Sequence, residues 1–362
     1  MVCLGGYAPK TVRAMPEFGY KQWDLMPMVG VTGNRCSSLQ SHPALSIVIP
    51  FRSVQPGTLN ALISRWMPLA GDRIEVIICD GSPGATFDQE ENSAWQALRR
   101  LPVDRSCYSY ANDKVNGLCT GVAAAGADAV LICDDDCNLS PKDLDILLSA
   151  PLAGQAFKIL AFPSSFTFLE SLEAARSIIS NGMSRYGDPS PAYLARRHTL
   201  LTSLRYPVGE CLFDDYMLEN ELRCAVTVIT HPEVQLKRDV APPAKWGEQQ
   251  VRYAYEDLSA VLKTACFLSL PWLVGLVATL GATYLVMILA LLVATSCCAA
   301  SLGLRRCPLA ERYPAWIVCL APFWVAVRAC AVPLALVLLL TGGFPYGGRR
   351  ILRPACVRMW EW

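Results

Sequence analysis

Asn112–Asp136 reads NDKVNGLCTGVAAAGADAVLICDDD, and the fold follows from it. Its last part, AVLIC at 129–133, is a short continuous apolar run, the pattern of a strand covered on both faces, and it runs directly into Asp134-Asp135-Asp136. The part before it, Lys114 to Gly126, is helical in character. Two similar runs lie upstream, LSIVIP (45–50) and IEVIIC (74–79), the second leading into Asp80-Gly81-Ser82. Another helical stretch is expected around Asp88 to Arg100. Strands separated by helices imply a parallel sheet covered on both faces, with right-handed crossovers and ligands at the carboxyl ends of the strands. Two of these strands deliver carboxylates to that one edge.

Three adjacent aspartates repel one another and are costly to desolvate unless a cation sits among them; hard oxygen ligands suit Mg²⁺ or Mn²⁺. The same residues also read as a solvated acidic loop leading into a helix at Ser140-Pro141. No GxxxxGK[ST], no GxGxxG after a strand and no GxSxG is present, and the Gly117 to Gly121 spacing suits helix packing better than a phosphate site. Further on, FDDYMLENELR (213–223) sets Asp214 and Asp215 at the start of a helix, where the dipole favours a carboxylate, as capping groups or as site groups. GEQQVRYAYEDL (247–258) is an amphipathic helix with Gln249, Arg252 and Glu256 on one face. Arg252 there either clamps a diphosphate or pairs with Glu256.

Composition points to a membrane. Of 362 residues 53% are apolar and only 17% charged, and the mean hydropathy is +0.30. The 32 basic and 31 acidic residues leave a net charge of +1, so no global field recruits nucleic acid. The 16 cysteines are scattered without a CxxC pair, which argues for a reducing compartment, and His42, His198 and His231 lie too far from cysteine pairs for a zinc site. MVCLGGYAPKTVRAMPEF lacks the apolar core of a signal peptide. No charge occurs between Lys263 and Arg305, a stretch that fits two helices in a hairpin turning near Gly281, or one long tilted helix, and the hairpin is favoured. Lys263 before it, and Arg305, Arg306 and Arg312 after it, place both ends in the cytoplasm. Pro314 to Leu340 is a second apolar stretch; Arg328 at its middle favours an interfacial or re-entrant segment, with the guanidinium reaching out to headgroups, over a third span.

The expected organisation is therefore a flexible lead-in (1–43), a nucleotide-binding α/β domain (44–246), an amphipathic helix (247–264), a membrane hairpin (265–304), and an interfacial or third membrane segment with a basic tail (305–362). Within it SIVIPFR, ICDGS, NDKVNGLCTGVAAAGADAVLICDDD, LFDDYML, QQVRY and PYGGRRI follow one another in order from Ser46 to Ile351. In this order the chain resembles family 2 glycosyltransferases of the GT-A fold, most closely their ceramide glucosyltransferase-like membrane branch. That resemblance implies an α/β, Rossmann-like GT-A domain followed by C-terminal transmembrane helices. It also implies transfer of a sugar, with inversion, from a nucleotide sugar, UDP-sugar first, to a membrane-lipid hydroxyl.

By the same resemblance Pro50, Arg52, Asp80, Lys114, Asp134 and Asp135 bind the nucleotide sugar, together with Gln249, Arg252 and Tyr253 at the QxxRW motif. Asp136, with Asp134, holds the divalent metal. Asp215 is the general base and Asp214 its rival. Tyr253 stands where the motif has Trp, LRYPVGECL replaces the usual Gly-Gly before [E/D]DY, and the N-terminal span that related enzymes often carry is not seen. A polysaccharide synthase and a polyprenyl-phosphate glycosyltransferase are the alternative enzymes, and a non-catalytic membrane scaffold is the alternative of another class.

Overall fold

The computed structural model describes residues 43–55, 57–85 and 98–354. The expected lead-in, up to residue 42, and residues 88–97 of the helix expected before Arg100 lie outside the described residues. Leu98–Arg100, the end of that expected helix, is strand instead. The reason is electrostatic: Arg99 and Arg100, which break the apolar pattern of a buried strand, are ion-paired to Glu75 and Asp80 on the neighbouring strand.

In chain order the first elements are β1 (Leu45–Phe51), α1 (Thr58–Trp66), β2 (Ile74–Asp80), β3 (Leu98–Pro102), α2 (Asp113–Ala124), β4 (Ala129–Cys133), β5 (Cys137–Asn138), α3 (Pro141–Leu148), β6 (Gln155–Lys158) and β7 (Ala161–Pro163). They continue with α4 (Phe168–Met183), β8 (Ala192–Arg196), α5 (Arg197–Ser203), α6 (Asp214–Ala225), β9 (Thr227–Thr230), β10 (Leu236–Arg238) and α7 (Pro243–Asp257). Seven strands form one sheet in the order β3-β2-β1-β4-β8-β6-β9. Its β2-β1-β4 part is parallel, as the sequence predicts, and the unexpected β3 adds in parallel beyond β2. The other half is not: β8 runs antiparallel to both β4 and β6. AYLAR in β8 is an apolar run buried on both faces, so nothing in it encodes a direction.

Alternation along the strands builds two cores. Leu45, Ile47 and Ile49, with Val76, Ile78 and Leu131, face one side, where Leu62 and Trp66 of α1 and Leu144 and Leu147 of α3 cover them. Val48, Ile77, Val130 and Ile132 face the other, under Val115, Leu118 and Val122 of α2 and Met217 and Leu222 of α6. Gly121 lets α2 sit close to the sheet, because a Cβ there would lie 2.3 Å from Val48 Cγ1. The Gly117 to Gly121 pair is thus a packing feature. A second sheet, β5-β10-β7, backs the loop after β4.

After α7 the chain breaks at Leu258–Ala260, earlier than the expected boundary at 264, and enters α8 (Val261–Leu280) and α9 (Ala282–Arg306), joined at Gly281 as expected. α10 (Ala321–Leu340), entered through a 3₁₀ turn from Ala315, is followed by the hairpin β11 (Phe344–Tyr346) and β12 (Arg349–Ile351). Among the described residues three segments are long and apolar enough to cross a membrane: Val261–Leu280, Ala282–Arg306 and Ala315–Leu340. They differ in what they touch. α8 buries no residue, and α9 buries only Ser296, Ala300 and Gly303, near its end and against α4. α10 touches the globular part at both ends. Ile317 and Trp324 pack with Leu172 and Ile178 of α4, whereas Val332, Ala335 and Phe344 pack with Ala254 and Tyr255 of α7.

Arg328 corrects the sequence reading. It does not reach out to headgroups: it is 3% exposed, with Nε 3.4 Å from Asp257 Oδ2 and its guanidinium 5.2 Å from the Trp324 ring centroid. An inward carboxylate and two aromatic faces, Trp324 and Tyr253, hold the charge better than apolar surroundings would.

Candidate active site

Asn112 caps α2 by accepting from the Lys114 backbone N–H, which fixes Lys114 at the carboxyl edge of the sheet. Its Nζ lies 2.8 Å from Asp134 Oδ1, 2.9 Å from Asp214 Oδ2 and 2.9 Å from Asp215 Oδ1. Three segments far apart in sequence, the start of α2, the end of β4 and the start of α6, thus meet at one ammonium. Burial opposes the Lys114 charge, but Asp134, Asp214 and Asp215 outweigh it and hold the proton well above the ordinary lysine range.

Asp214 and Asp215 face different surroundings. The Asp214 side chain is 2% exposed; it also accepts from Asn112 Nδ2 at 3.3 Å and lies 3.8 Å from Arg252. Burial works against its charge, yet Lys114 and then Arg252 hold its carboxyl below the usual range. The Asp215 side chain is 25% exposed and lines a cavity. Loss of water pushes its carboxyl well above the usual range; Lys114 only partly offsets this, and Asp214 and Asp134 add to it.

The aspartate run after β4 divides in the same way. Asp136 accepts from Arg238 Nε at 2.9 Å, and that guanidinium outweighs burial to hold it below the usual range. Asp135, between them, is pushed up to about 6 by burial and by Asp136 and Asp134. Arg238 is delivered by β10, whose pairing with β5 sets it opposite Cys137. The run is therefore not a freely solvated loop.

Among the described residues no group of three or more His, Cys, Asp or Glu side chains is arranged as a metal cage. The donor set fits a different mode. Asp134 and Asp136 offer hard oxygens beside Asp135, whose carboxyl is raised by burial and by these two aspartates, and Mg²⁺ is commonly held by one or two carboxylates with phosphate oxygens and water completing the shell.

On α7, Arg252 Nε lies 3.3 Å from Glu256 and its guanidinium 5.2 Å from the centroid of the Tyr346 ring. Arg252 thus makes the Glu256 pair that the sequence offers as one of its two alternatives, and it also lies 3.8 Å from Asp214. Glu256 is pushed up to about 7 by burial, which Arg252 relieves in part and Asp214 and Asp257 worsen. Tyr253 presents its ring to Arg176 at 4.7 Å. Asp134, Asp215, Gln249, Arg252 and Tyr253 all line one cavity of about 1030 Å³, which extends to Leu262 and Phe267 on α8 and Trp324 on α10.

Other expected residues stand at the same edge of the sheet, held by other partners. Asp80, at the end of β2, is bound by Arg100 at 2.7 and 3.1 Å and accepts from Ser82 N at 2.8 Å. Pro50 lies under Gly117. Arg52 pairs with Asp113 at 2.8 Å, as does Arg105 at 2.6 Å. Sequence reasoning missed Arg100, Arg238 and Tyr346. Tyr346 had a signal, because it sits in PYGGRRI: Gly347 and Gly348, at φ 59° and 81°, make the tight turn between β11 and β12, and a Cβ on Gly348 would lie 3.2 Å from the Arg52 guanidinium. The chain after β12 then accepts at the head of α6, the Arg353 carbonyl from Leu212 N–H and the Pro354 carbonyl from Phe213 N–H.

No protein-family model matches the chain, and no curated protein matches it. Solved structures similar to it include a mannosyltransferase from Pyrobaculum calidifontis in complex with GDP-Man and Mn²⁺, at 17% identity over 83% of this chain and 79% of that one, with a TM-score of 0.43. A mycobacterial protein is similar at 18% identity over 59% and 76%, TM-score 0.36. Glucosyl-3-phosphoglycerate synthase from Mycobacterium tuberculosis, in complex with Mn²⁺, UDP and glucosyl-3-phosphoglycerate, is similar at 18% identity over 56% and 74%, TM-score 0.32.

Proposed function

We propose that the chain is a membrane-bound inverting glycosyltransferase that moves a sugar from a nucleotide sugar, UDP-sugar first, to the hydroxyl of a membrane lipid. The observation that carries this reading is the cavity: it holds a raised carboxyl, Asp215, and Asp134 among its lining residues and also reaches apolar helices of membrane length. A donor bound at the carboxyl edge of the sheet and an acceptor entering along α8 would meet at Asp215. Asp215 takes the proton of the acceptor hydroxyl as the oxygen attacks the sugar from the side opposite the diphosphate. Asp214, charged and locked to Lys114, Asn112 and Arg252, orients these groups and raises the proton affinity of its neighbour. Lys114 and Arg252 offset negative charge as the diphosphate departs. Asp134 and Asp136 would hold a divalent cation, which when bound supplies Lewis-acid stabilisation of the leaving group.

The contacts at both ends of α10 support a helix lying along the globular part at the membrane surface, with the α8–α9 hairpin as the inserted element and the catalytic part facing the cytoplasm. Membranes containing the protein, incubated with a panel of labelled nucleotide sugars, are expected to transfer label from one of them into the extractable lipid fraction. EDTA should abolish that transfer and Mg²⁺ or Mn²⁺ restore it. Label that reaches no lipid with any donor would refute the transferase reading, and full transfer in excess EDTA would refute the metal.

A further inference from the structure

We propose that a second cavity, beside the end of α9, binds a phosphate group. It encloses about 360 Å³, within the range of small-ligand pockets, roughly 300–1,000 Å³. Asn181, Ser184, Gly187 and Asp188 form a wall that it shares with the catalytic cavity, but Asp134, Asp215 and Arg252 do not line it. Four cations do: Lys158 from β6, Arg185 from the chain after α4, Arg223 from α6 and Arg306 from the end of α9. All four fasten to one short segment, Gly182 to Tyr186. The buried Lys158 donates from Nζ to the Tyr186 carbonyl at 3.2 Å, and Arg306 Nη1 donates to the Gly182 carbonyl at 2.9 Å. The Tyr186 ring faces the Arg223 guanidinium at 4.1 Å and that of Arg185 at 5.2 Å.

Their countercharge is incomplete. Asp188, the one carboxylate in the wall, is already held by Arg176 at 2.7 and 2.8 Å and by Ser177 at 2.9 Å. Glu219, which does not line the cavity, takes Lys158 at 2.9 Å and Arg223 at 2.6 Å, so one carboxylate serves two cations. Among the described residues Arg185 has the Tyr186 ring and Arg306 the Gly182 carbonyl, and neither has a carboxylate. Like charges gathered around a concavity repel one another, and an anion between them relieves the repulsion.

The donors describe that anion. Guanidinium forks suit carboxylate and phosphate alike, but a carboxylate offers its oxygens in one plane, whereas a phosphate can accept from groups arriving on several sides, as these do. Two sources share this chemistry, a lipid headgroup and free phosphate. Arg306 is the last residue of an apolar segment of membrane length, and Pro308 follows it in the cavity wall. In the membrane arrangement proposed above the cavity lies at the depth of lipid headgroups, which favours the lipid phosphate as the source.

The test measures binding of radiolabelled short-chain phosphatidate to the full chain in non-ionic detergent micelles. Unlabelled phosphatidate, diacylglycerol of the same chain length and inorganic phosphate are the competitors. Arg185→Gln, at an exposed side chain, is expected to weaken phosphatidate binding about tenfold, the effect of one charge-assisted hydrogen bond. Arg305→Gln removes the same charge beside the cavity, from a residue that does not line it, and should change binding by less than about twofold. An unchanged thermal midpoint shows that each variant is folded. Diacylglycerol should not displace the probe. Displacement by unlabelled phosphatidate but not by inorganic phosphate assigns the site to a headgroup; equal displacement by both keeps the phosphate site and assigns it to the free ion. Unchanged binding by Arg185→Gln, equal losses in the two variants, or displacement by diacylglycerol as good as by phosphatidate would overturn the site. None of these results depends on UDP-sugar binding or transfer, so the site and the transferase reading stand or fall separately.

Discussion

Asp214 and Asp215 are adjacent in sequence and opposite in environment, one sealed between Lys114, Asn112 and Arg252, the other open to the cavity. The sequence could place both at the start of a helix but could not rank them by spacing, because the ranking comes from α2 and α7, over 25 residues away on either side. The resemblance assigns Asp136 to the metal and Asp135 to the nucleotide sugar, but their different surroundings arise only with the arrival of Arg238 on β10. The raised carboxyl of Asp215 has a consequence for rate. A base works in its charged form, so as pH falls through a raised pKa the rate falls with it. The acid limb of kcat should therefore lie above the ordinary aspartate value of about 3.9. A pH profile of transfer measured on the stable range of the protein checks this; a rate still flat at pH 4 would show that Asp215 is not the base.

At the scale of elements, the strands that carry the site were legible because burial on both faces leaves an unbroken apolar run, and AVLIC at 129–133 is bounded as the sequence indicates. The direction of β8 and the existence of β3 were not, since one depends on a return path and the other on arginines neutralised across strands. The docking of α9 on α4 was also hidden. It depends on two glycines 121 positions apart, where a Cβ on Gly303 would sit 1.5 Å from the Ile178 carbonyl oxygen and one on Gly182 would lie 2.5 Å from that of Ala299. Gly303→Ala should force the helices apart and destabilise the protein by about 1–3 kcal/mol, the usual cost of overpacking. The thermal midpoint in detergent reads this directly; an unchanged midpoint would mean that the crossing has slack the geometry does not show.

For the whole molecule, the C-terminal segment returns to the globular part: Tyr255 Oη donates to the carbonyls of Ile351 and Leu352, and Arg349 donates to the Tyr110 carbonyl. In the proposed arrangement, a tail held this way would lie on the same side of a membrane as the globular part. Tags on the two termini are accordingly expected to be cleaved together by protease added to one face of sealed vesicles, and protection of the C-terminal tag alone would make α10 a true span. Apolar patterning marks the segments long and apolar enough to cross a membrane; only contacts distant in sequence reveal which of these helices leans on the protein. The proposed lipid glycosyltransferase activity joins these scales, because it needs a base in a cavity between a nucleotide edge and apolar helices of membrane length. Its most direct test is UDP-sugar titration and single-turnover transfer on Asp215→Asn, Asp214→Asn and Asp136→Asn. Asp215→Asn should bind donor normally and lose transfer by ~10²-fold or more, while Asp136→Asn loses donor and metal binding together. Near-normal transfer by Asp215→Asn beside an inactive Asp214→Asn would contradict it.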